Sequence, residues 1–324
     1  MAIWNGISEG LGVKYFSEDE VVRNLDEDTA LEAARQVFRG LATGDAVAYR
    51  SVRNATGHRD ALFGNKSGFD RQTKSLGLKA GGYWPHNETQ GLPNHQSITI
   101  LFDPDTGEPQ AAMSGNHLTA MRTAAASALA IDLLARQDCR TLAIIGAGHQ
   151  AVYQVRAAAR VRSFDRLLIW NRTSARAEAL AEACRALFDD TATPGLEESL
   201  AEADCVISVL SSFEPVIPTR PLRAGVHVCA MGSDTVGKRE FQAGLFGRAK
   251  VFADDPEQAA ELGEIQHGLE SNEISLGSVI PLADVMARRH PGRTSGQDIT
   301  VYDGTGMGLQ DLVTAKAVLS RSGF

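Results

Sequence analysis

The 324-residue chain carries 32 lysines and arginines against 40 aspartates and glutamates, with 43% hydrophobic and 22% charged residues, the composition of a globular protein long enough for roughly two domains. A net charge of −8 without a basic run argues against a nucleic-acid partner, so any cations that hold an anionic ligand must be local. Cys139, Cys184, Cys205 and Cys229 lack C-x-x-C pairing or a histidine at ligand spacing, so buried thiols are expected rather than a disulfide framework or a metal site. No basic-then-apolar leader opens the chain and no window approaches about 18 uninterrupted apolar residues; no membrane span and a cytoplasmic location are therefore expected.

In chain order, Val21, Val22, Leu25, Leu31, Ala34, Val37 and Phe38 recur at helical spacing and predict a helix over residues 18–41. Strand-like runs follow at 46–56, 61–64, 76–83 and 97–102. Asp103-Pro-Asp-Thr-Gly107 has the chemistry of a tight turn, and 111–113 continues the hairpin. The Ala-rich stretch 119–135 reads as a connector helix.

The next segment, Thr141-Leu-Ala-Ile-Ile-Gly146-Ala-Gly148-His-Gln-Ala151, runs an apolar strand into G-x-G-x-x-A. Gly146 permits the tight turn, Gly148 lets the main chain approach a pyrophosphate, and Ala151 keeps helix and sheet close. The unpaired N–H groups of the helix N-terminus then face the phosphates. A second strand at 166–170 completes a βαβ unit of about 30 residues. A helix at 175–188 and strands at 205–210, 227–231 and 250–253 extend the alternation, which predicts a doubly wound parallel sheet. A strand at 298–302 precedes Asp303-Gly-Thr-Gly306 and a helix over 309–319, expected to return to the first domain.

Four polar features stand where a plain core or loop has no need of them. Arg50 and Arg53 lie in a strand-like run, as a solvated face or as bidentate partners for carboxylates, and alternation sets them on opposite faces unless a bulge intervenes. Lys79 sits among apolar and glycine residues, where desolvation would lower its pKa toward proton transfer; the alternative is a lysine on an edge strand. Arg122, placed in the first turn of the connector helix, opposes the macrodipole, so an anionic group is a natural partner. Asp234 follows the strand at 227–231, either as a helix N-cap or as a group at the ligand end of a parallel sheet. At the ribose position stands Asn171-Arg172-Thr173: an arginine suits the 2′-phosphate of NADP, while Asn171 can meet a free 2′-hydroxyl of NAD.

Eight motifs in order carry a resemblance. They are L-K-x3-Y-W-P-H-N around Lys79, G-L-P-N-H-Q, L-F-D-P-D-T-G, T-A-M-R-T-A-A-A-S-A-L-A, G-A-G-H-Q-A, W-N-R-T, M-G-S-D-T-V-G-K and V-Y-D-G-T-G-M-G-L-Q-D-L. Over nearly its whole length the chain resembles the ornithine cyclodeaminase/mu-crystallin family. The resemblance implies an α/β protein: a doubly wound Rossmann domain, residues 119–305, inserted in a discontinuous α+β substrate and dimerisation domain, residues 1–118 plus 306–324. It implies a homodimer that uses NAD, with NADP as the alternative, on a small anionic imino or amino acid. By position, Arg50, Lys79 and Arg122 match the substrate-binding set, to which Arg53 adds a candidate of this chain's own, and Lys79 and Asp234 match the proton-transfer pair. Arg122, Thr123, Gly146, Gly148, His149, Gln150, Asn171, Arg172, Ser211, Met231 and Ser233 match the cofactor set.

Family activities include ornithine cyclodeamination, dehydrogenation of alanine and other amino acids, reduction of imines and, in the mu-crystallin branch, ligand binding. Arg53, where the family commonly has an apolar residue, adds a cation that with His58 and His95 suits a substrate with two carboxylates. The wording of G-H-R-D-A-L-F-G-N-K and K-A-G-G-Y-W-P-H-N resembles the branch that reduces iminosuccinate to L-aspartate.

Overall fold

Two capping residues divide the first helical stretch. The computed structural model, which describes residues 13–323, has helices Glu18–Asn24 and Glu27–Thr43 where the periodicity alone predicts one. Ser17 and Glu20 form a reciprocal capping box at the start of the first, Leu25 is extended (φ −132°), and Asp26 accepts the Thr29 N–H to start the second.

The chain divides into two compact units, Met1–Arg122 with Met307–Phe324, and Thr123–Gly306. One division falls inside the helix Asn116–Leu134.

In the first unit, β1 (Lys14–Phe16), β2 (Ala46–Ala48), β3 (Val52–Ala55), β4 (Leu62–Asp70), β5 (Ser75–Tyr83), β6 (His95–Phe102) and β7 (Pro109–Ser114) form one sheet. Its order is β1-β7-β6-β5-β4-β2, with β3 also on β4. The hairpin partners are antiparallel and β1 joins β7 in parallel. The faces alternate along β5: Ser75, Gly77 and Lys79 are buried, while Leu76, Leu78 and Ala80 are half-buried. Over the buried face lies the C-terminal helix Gly308–Arg321, which also packs on Glu27–Thr43, so the end of the chain returns to the first unit. Close approach needs glycines here, since a Cβ on Gly68 or Gly77 would stand 3.0 Å from Leu309 or Leu312.

In the second unit, β8 (Thr141–Ile145), β9 (Arg166–Trp170), β10 (Asp190–Ala192), β11 (Cys205–Ser208), β12 (His227–Ala230), β13 (Ala249–Ala253), β14 (Ile280–Pro281) and β15 (Ile299–Asp303) build the sheet β10-β9-β8-β11-β12-β15-β13-β14. All of its pairings are parallel. Strands β11, β12 and β15 are buried at every position, as a sheet covered on both faces requires. The winding direction reverses between β8 and β11, so the loops leaving those two strands flank the switch point of a Rossmann sheet. The expected helix at 175–188 ends at Cys184 in a short 3₁₀ turn. The helices Leu196–Glu202, Pro256–Leu262, Ile265–Glu270 and Leu282–Met286 run seven residues or fewer, too short to show a period in sequence. Among the described residues no helix is long and apolar enough to cross a membrane.

Candidate functional site

In the first unit, strand β5, the helix Asn116–Leu134 and the start of the C-terminal helix bring buried charges together. Asp311 Oδ1 accepts from Lys79 Nζ at 3.0 Å and from Arg122 Nε at 3.0 Å, and Gln310 Oε1 accepts from Arg122 Nη1 at 3.1 Å. Lys79 Nζ also lies 3.5 Å from Thr119 Oγ1. Lys79 and Arg122 are 6% and 7% exposed and Asp311 is 0% exposed, so two buried cations share one carboxylate oxygen out of reach of bulk water. Burial pushes the Lys79 amine down to about 7, the neighbouring Arg122 charge pushes the same way, and Asp311 opposes them. Burial alone would raise Asp311, but Arg122 and Lys79 outweigh it and hold the carboxyl below its usual range. Arg122 sits nearly two turns into its helix, which starts at Asn116, so the ion pair with Asp311, rather than the macrodipole, is its structural setting.

Several buried polar atoms at this node take no hydrogen-bond partner among the described residues: Asp311 Oδ2, Gln310 Nε2, Thr99 Oγ1 and Ser97 Oγ. Lys79 and Thr99 are directly opposed on β5 and β6, as are Gly81 and Ser97, so these side chains share a face. Native proteins leave few such groups unsatisfied, and a polar ligand is one way to satisfy them. His95, on β6, is pushed down to about 4 by burial and by the Lys79 charge. It therefore brings a neutral imidazole near pH 7; His58 lies exposed in the loop after β3.

A bulge resolves the arrangement of Arg50 and Arg53. Ala48 stands opposite Gly68 and Val52 opposite Asn65, so four steps along β2 and β3 match three along β4. The extra residue cancels the alternation: the β2 register continued would set Arg50 against Lys66, and Arg53 stands against Gly64, two residues along the same face. Arg50 is exposed in the link between the strands, whereas Arg53 is half-buried.

In the second unit, the loop after β8 has the geometry of a pyrophosphate cradle. Gly146 holds φ 107°, which favours glycine, and a Cβ on Gly148 would meet no atom within 4 Å, so the missing side chain leaves open space over the helix Ala151–Val161. Gln150 caps that helix without a side-chain bond, and its buried Oε1 takes no partner among the described residues; the exposed His149 packs its ring on Tyr153 at 5.3 Å between centroids. Asn171 Oδ1 accepts from Ala147 N–H at 3.1 Å and Nδ2 donates to the Thr173 carbonyl at 3.0 Å, tying the glycine loop to the end of β9. Arg172 is exposed beside it, and no carboxylate stands at the end of β9. These features fit a dinucleotide: an open glycine turn leading into a helix N-terminus and an amide at the ribose position.

The loops leaving β11 and β12 carry the remaining expected residues. Ser211 is exposed, Met231 half-buried and Ser233 buried; Thr123 is buried on the helix Asn116–Leu134. No helix begins at Asp234, which excludes the N-cap reading. Its Oδ1 accepts from Lys238 Nζ at 2.7 Å and from the Thr235 hydroxyl at 3.2 Å. Beneath these loops lies a carboxylate pair that sequence reasoning missed. Glu240 accepts the N–H groups of Leu210 and Gly232, both at 2.8 Å, and so joins the two loops. Glu264 accepts from Ser233 Oγ at 2.7 Å and from the N–H groups of Glu240 and Phe241. Burial, reinforced by the charge on Glu264, pushes Glu240 up to about 8. Asp311 was also missed as a site residue; it stands inside the quoted V-Y-D-G-T-G-M-G-L-Q-D-L motif, but its partners are 232 and 189 positions away.

The model of the ornithine cyclodeaminase/mu-crystallin family matches residues 17–322. The chain is 43% identical over 303 residues to the iminosuccinate reductase of Paracoccus denitrificans strain Pd 1222, covering 94% of each. The crystal structure of the iminosuccinate reductase of Paracoccus denitrificans in complex with NAD+ is similar with a TM-score of 0.91 at 42% identity, covering 96% of both chains. An archaeal alanine dehydrogenase dimer with bound NAD also gives 0.91, at 28% identity and 96% of both chains. The Thermococcus litoralis Δ1-pyrroline-2-carboxylate reductase in complex with NADH and L-proline gives 0.91 at 25% identity, covering 96% of this chain and 97% of that one.

Proposed function

Because the chain belongs to the ornithine cyclodeaminase/mu-crystallin family, we propose that it is an NADH-dependent imine reductase that converts iminosuccinate to L-aspartate. The observation that carries this reading is the pair of buried cations, Lys79 and Arg122, that share the single carboxylate of Asp311. One negative charge against two positive ones leaves the node matched to an incoming anion.

When bound, the reduced nicotinamide supplies the hydride for the imine carbon. Arg122 uses Nε and Nη1 on Asp311 and Gln310, which presents Nη2 to the substrate α-carboxylate, and Lys79 adds a third N–H beyond those aimed at Asp311 and Thr119. Fixing the carboxylate fixes the imine carbon, the main service of a positioning site in hydride transfer. A lysine held near 7 also exchanges a proton at working pH, so Lys79 both binds the anion and buffers the substrate nitrogen's proton. Asp234 is assigned the iminium N–H. The glycine loop and Asn171 hold the cofactor; the relatives described with NAD+ or NADH favour NAD, and the exposed Arg172 is the feature that favours NADP as a second reading.

The outer face of the first unit's sheet supports a homodimer. Leu76, Leu78, Ile98, Ile100 and Phe102 all remain partly exposed there, an apolar face that a second copy would cover, and the archaeal alanine dehydrogenase is described as a dimer. A reductase of this kind draws on the cytoplasmic NADH pool, the location that the reading assigns.

The test is NADH oxidation with oxaloacetate plus ammonia, pyruvate plus ammonia, and a cyclic imine acid as competing acceptors. The expected order puts oxaloacetate plus ammonia first by at least tenfold in kcat/KM. Faster use of pyruvate plus ammonia would reassign the chain to alanine dehydrogenation, and formation of proline from ornithine without net NADH change to cyclodeamination.

A further inference from the structure

Lys66 belongs to none of the residues assigned so far. The β4–β5 hairpin sets it directly opposite Lys79, and β5–β6 sets Lys79 opposite Thr99, so Lys66, Lys79 and Thr99 form one row across three strands. Directly opposed residues of an antiparallel pair project to one face with Cβ atoms about 4.5–5.5 Å apart. The neighbouring row on that face is Arg53, Gly64, Gly81 and Ser97. Its two central positions have no side chains. The strands close in at these glycines, since a Cβ on Gly64 would stand 1.9 Å from the Val52 carbonyl oxygen and one on Gly81 2.3 Å from that of Gln96; this bare backbone is flanked by Lys66 and Lys79 along one margin, with Arg53 at one end and the buried hydroxyl of Ser97 at the other.

Like charges directly opposed on a sheet destabilise it. Lys66 is half-buried and acts on both members of the neighbouring ion pair, helping to lower Lys79 and to keep Asp311 charged. The Lys66 and Lys79 charges oppose each other across the row, and an anion lying over the row would turn that repulsion into attraction to a shared partner.

We infer that Lys66, with Arg53 in the glycine row, binds the second carboxylate of the substrate and so sets the preference for a dicarboxylic over a monocarboxylic amino or imino acid. Lys79 and Arg122 take the carboxylate next to the reacting carbon, and Lys66 takes the one on the side chain. The inference rests on the reading of the substrate as a dicarboxylate, and it adds the residue that makes that choice. Lys66 is readable in sequence once the hairpin register is known, because the turn between Asp70 and Ser75 fixes every opposed pair.

The test is calorimetric binding of L-aspartate and of L-alanine to the NAD+-loaded protein, for the natural sequence, Lys66→Met and Lys66→Arg. The expected result is L-aspartate binding weakened by about 10- to 100-fold in Lys66→Met, the range for one charged hydrogen bond, with L-alanine binding within about threefold of the natural sequence. Lys66→Arg retains most of the L-aspartate affinity. Equal weakening of both ligands, unchanged L-aspartate binding in Lys66→Met, or a natural sequence that prefers L-alanine or binds neither amino acid, overturns the inference. If L-aspartate binds through Lys66 yet oxaloacetate plus ammonia consumes no NADH, the proposed reaction fails and the role of Lys66 stands.

Discussion

The two sheets put chemistry in different places. In the parallel sheet of the second unit, β11, β12 and β15 are buried throughout, and the groups proposed to work there, Gly146, Gly148, Asn171 and Asp234, stand in the loops that leave the strands. The largely antiparallel sheet of the first unit has a buried face and a half-exposed one, and the site proposed there includes Lys79, which projects from a strand itself. Lys79 occupies a position that a core residue would fill elsewhere, tolerated because Asp311 comes from the C-terminal helix to meet it. A sheet sealed on both sides works at its ends, and a sheet with one polar island works on its face.

The strongest way to break this contrast is Asp311→Ala, which leaves Lys79 and Arg122 buried side by side without their carboxylate. Removing one partner of a buried ion pair costs about 3–5 kcal/mol, so urea unfolding should show a loss of that size, together with loss of reductase activity. Asp311→Asn, which retains an acceptor oxygen, should lose less. An unchanged unfolding midpoint in Asp311→Ala would mean that the node does not hold the sheet face.

In the second unit the matching change is Gly148→Val. Its side chain would enter open space, so stability should stay within about 0.5 kcal/mol, while NADH binding weakens roughly tenfold or more because the side chain occupies the cradle. Fluorescence titration of NADH checks the affinity and denaturant unfolding checks the stability. Together the two variants separate a site that holds its fold together from one that merely crowns it.

Titration sharpens the comparison further. Lys79 is held near 7 and is an ammonium below that value. If the ammonium binds the substrate, kcat/KM for imine reduction falls as pH rises through about 7, and Lys79→Arg, charged throughout, moves that limb above about pH 9. A limb that stays in place in Lys79→Arg belongs to another group.

A further pH-dependent effect, on stability, comes from the second unit. Glu240 is raised from 4.5 to about 8 in the folded chain. Between those values the folded state holds the proton that the unfolded state has released, so this group's contribution to stability is present at acid pH and lost as pH rises toward 8. Denaturant unfolding from pH 5 to 8.5 should show the decline, and Glu240→Gln should flatten it.

The same contrast explains what could be read from the residues alone. The cradle was legible because Gly146, Gly148 and Ala151 lie within six residues of one another, and a strand-to-helix turn is a local event. Lys79 and Arg122 were legible because each is a charge in an apolar run. Asp311 was not recognised because its meaning comes from β5 and the helix Asn116–Leu134, both far away in sequence. Lys66 needed a strand register, and the shared face of Arg50 and Arg53 needed a one-residue bulge that alternation cannot reveal. Counting i, i+3 and i+4 recurrences reads 18–41 as one helix, but at about 100° per residue Leu31, Ala34, Val37 and Phe38 lie out of phase with Val21 and Leu25, and the caps at Ser17 and Asp26 set the actual ends. That His95 is kept neutral follows from its burial beside Lys79, which only the fold shows.

The most direct test of the account follows the transferred hydride. With NADH deuterated at the transferring position, oxaloacetate and ammonia, the account predicts L-aspartate carrying one deuterium at C2 by mass spectrometry, in step with NADH consumed. Deuterated malate instead of aspartate, or NADH loss without label in the amino acid, would contradict it, because the group reduced would then not be the imine.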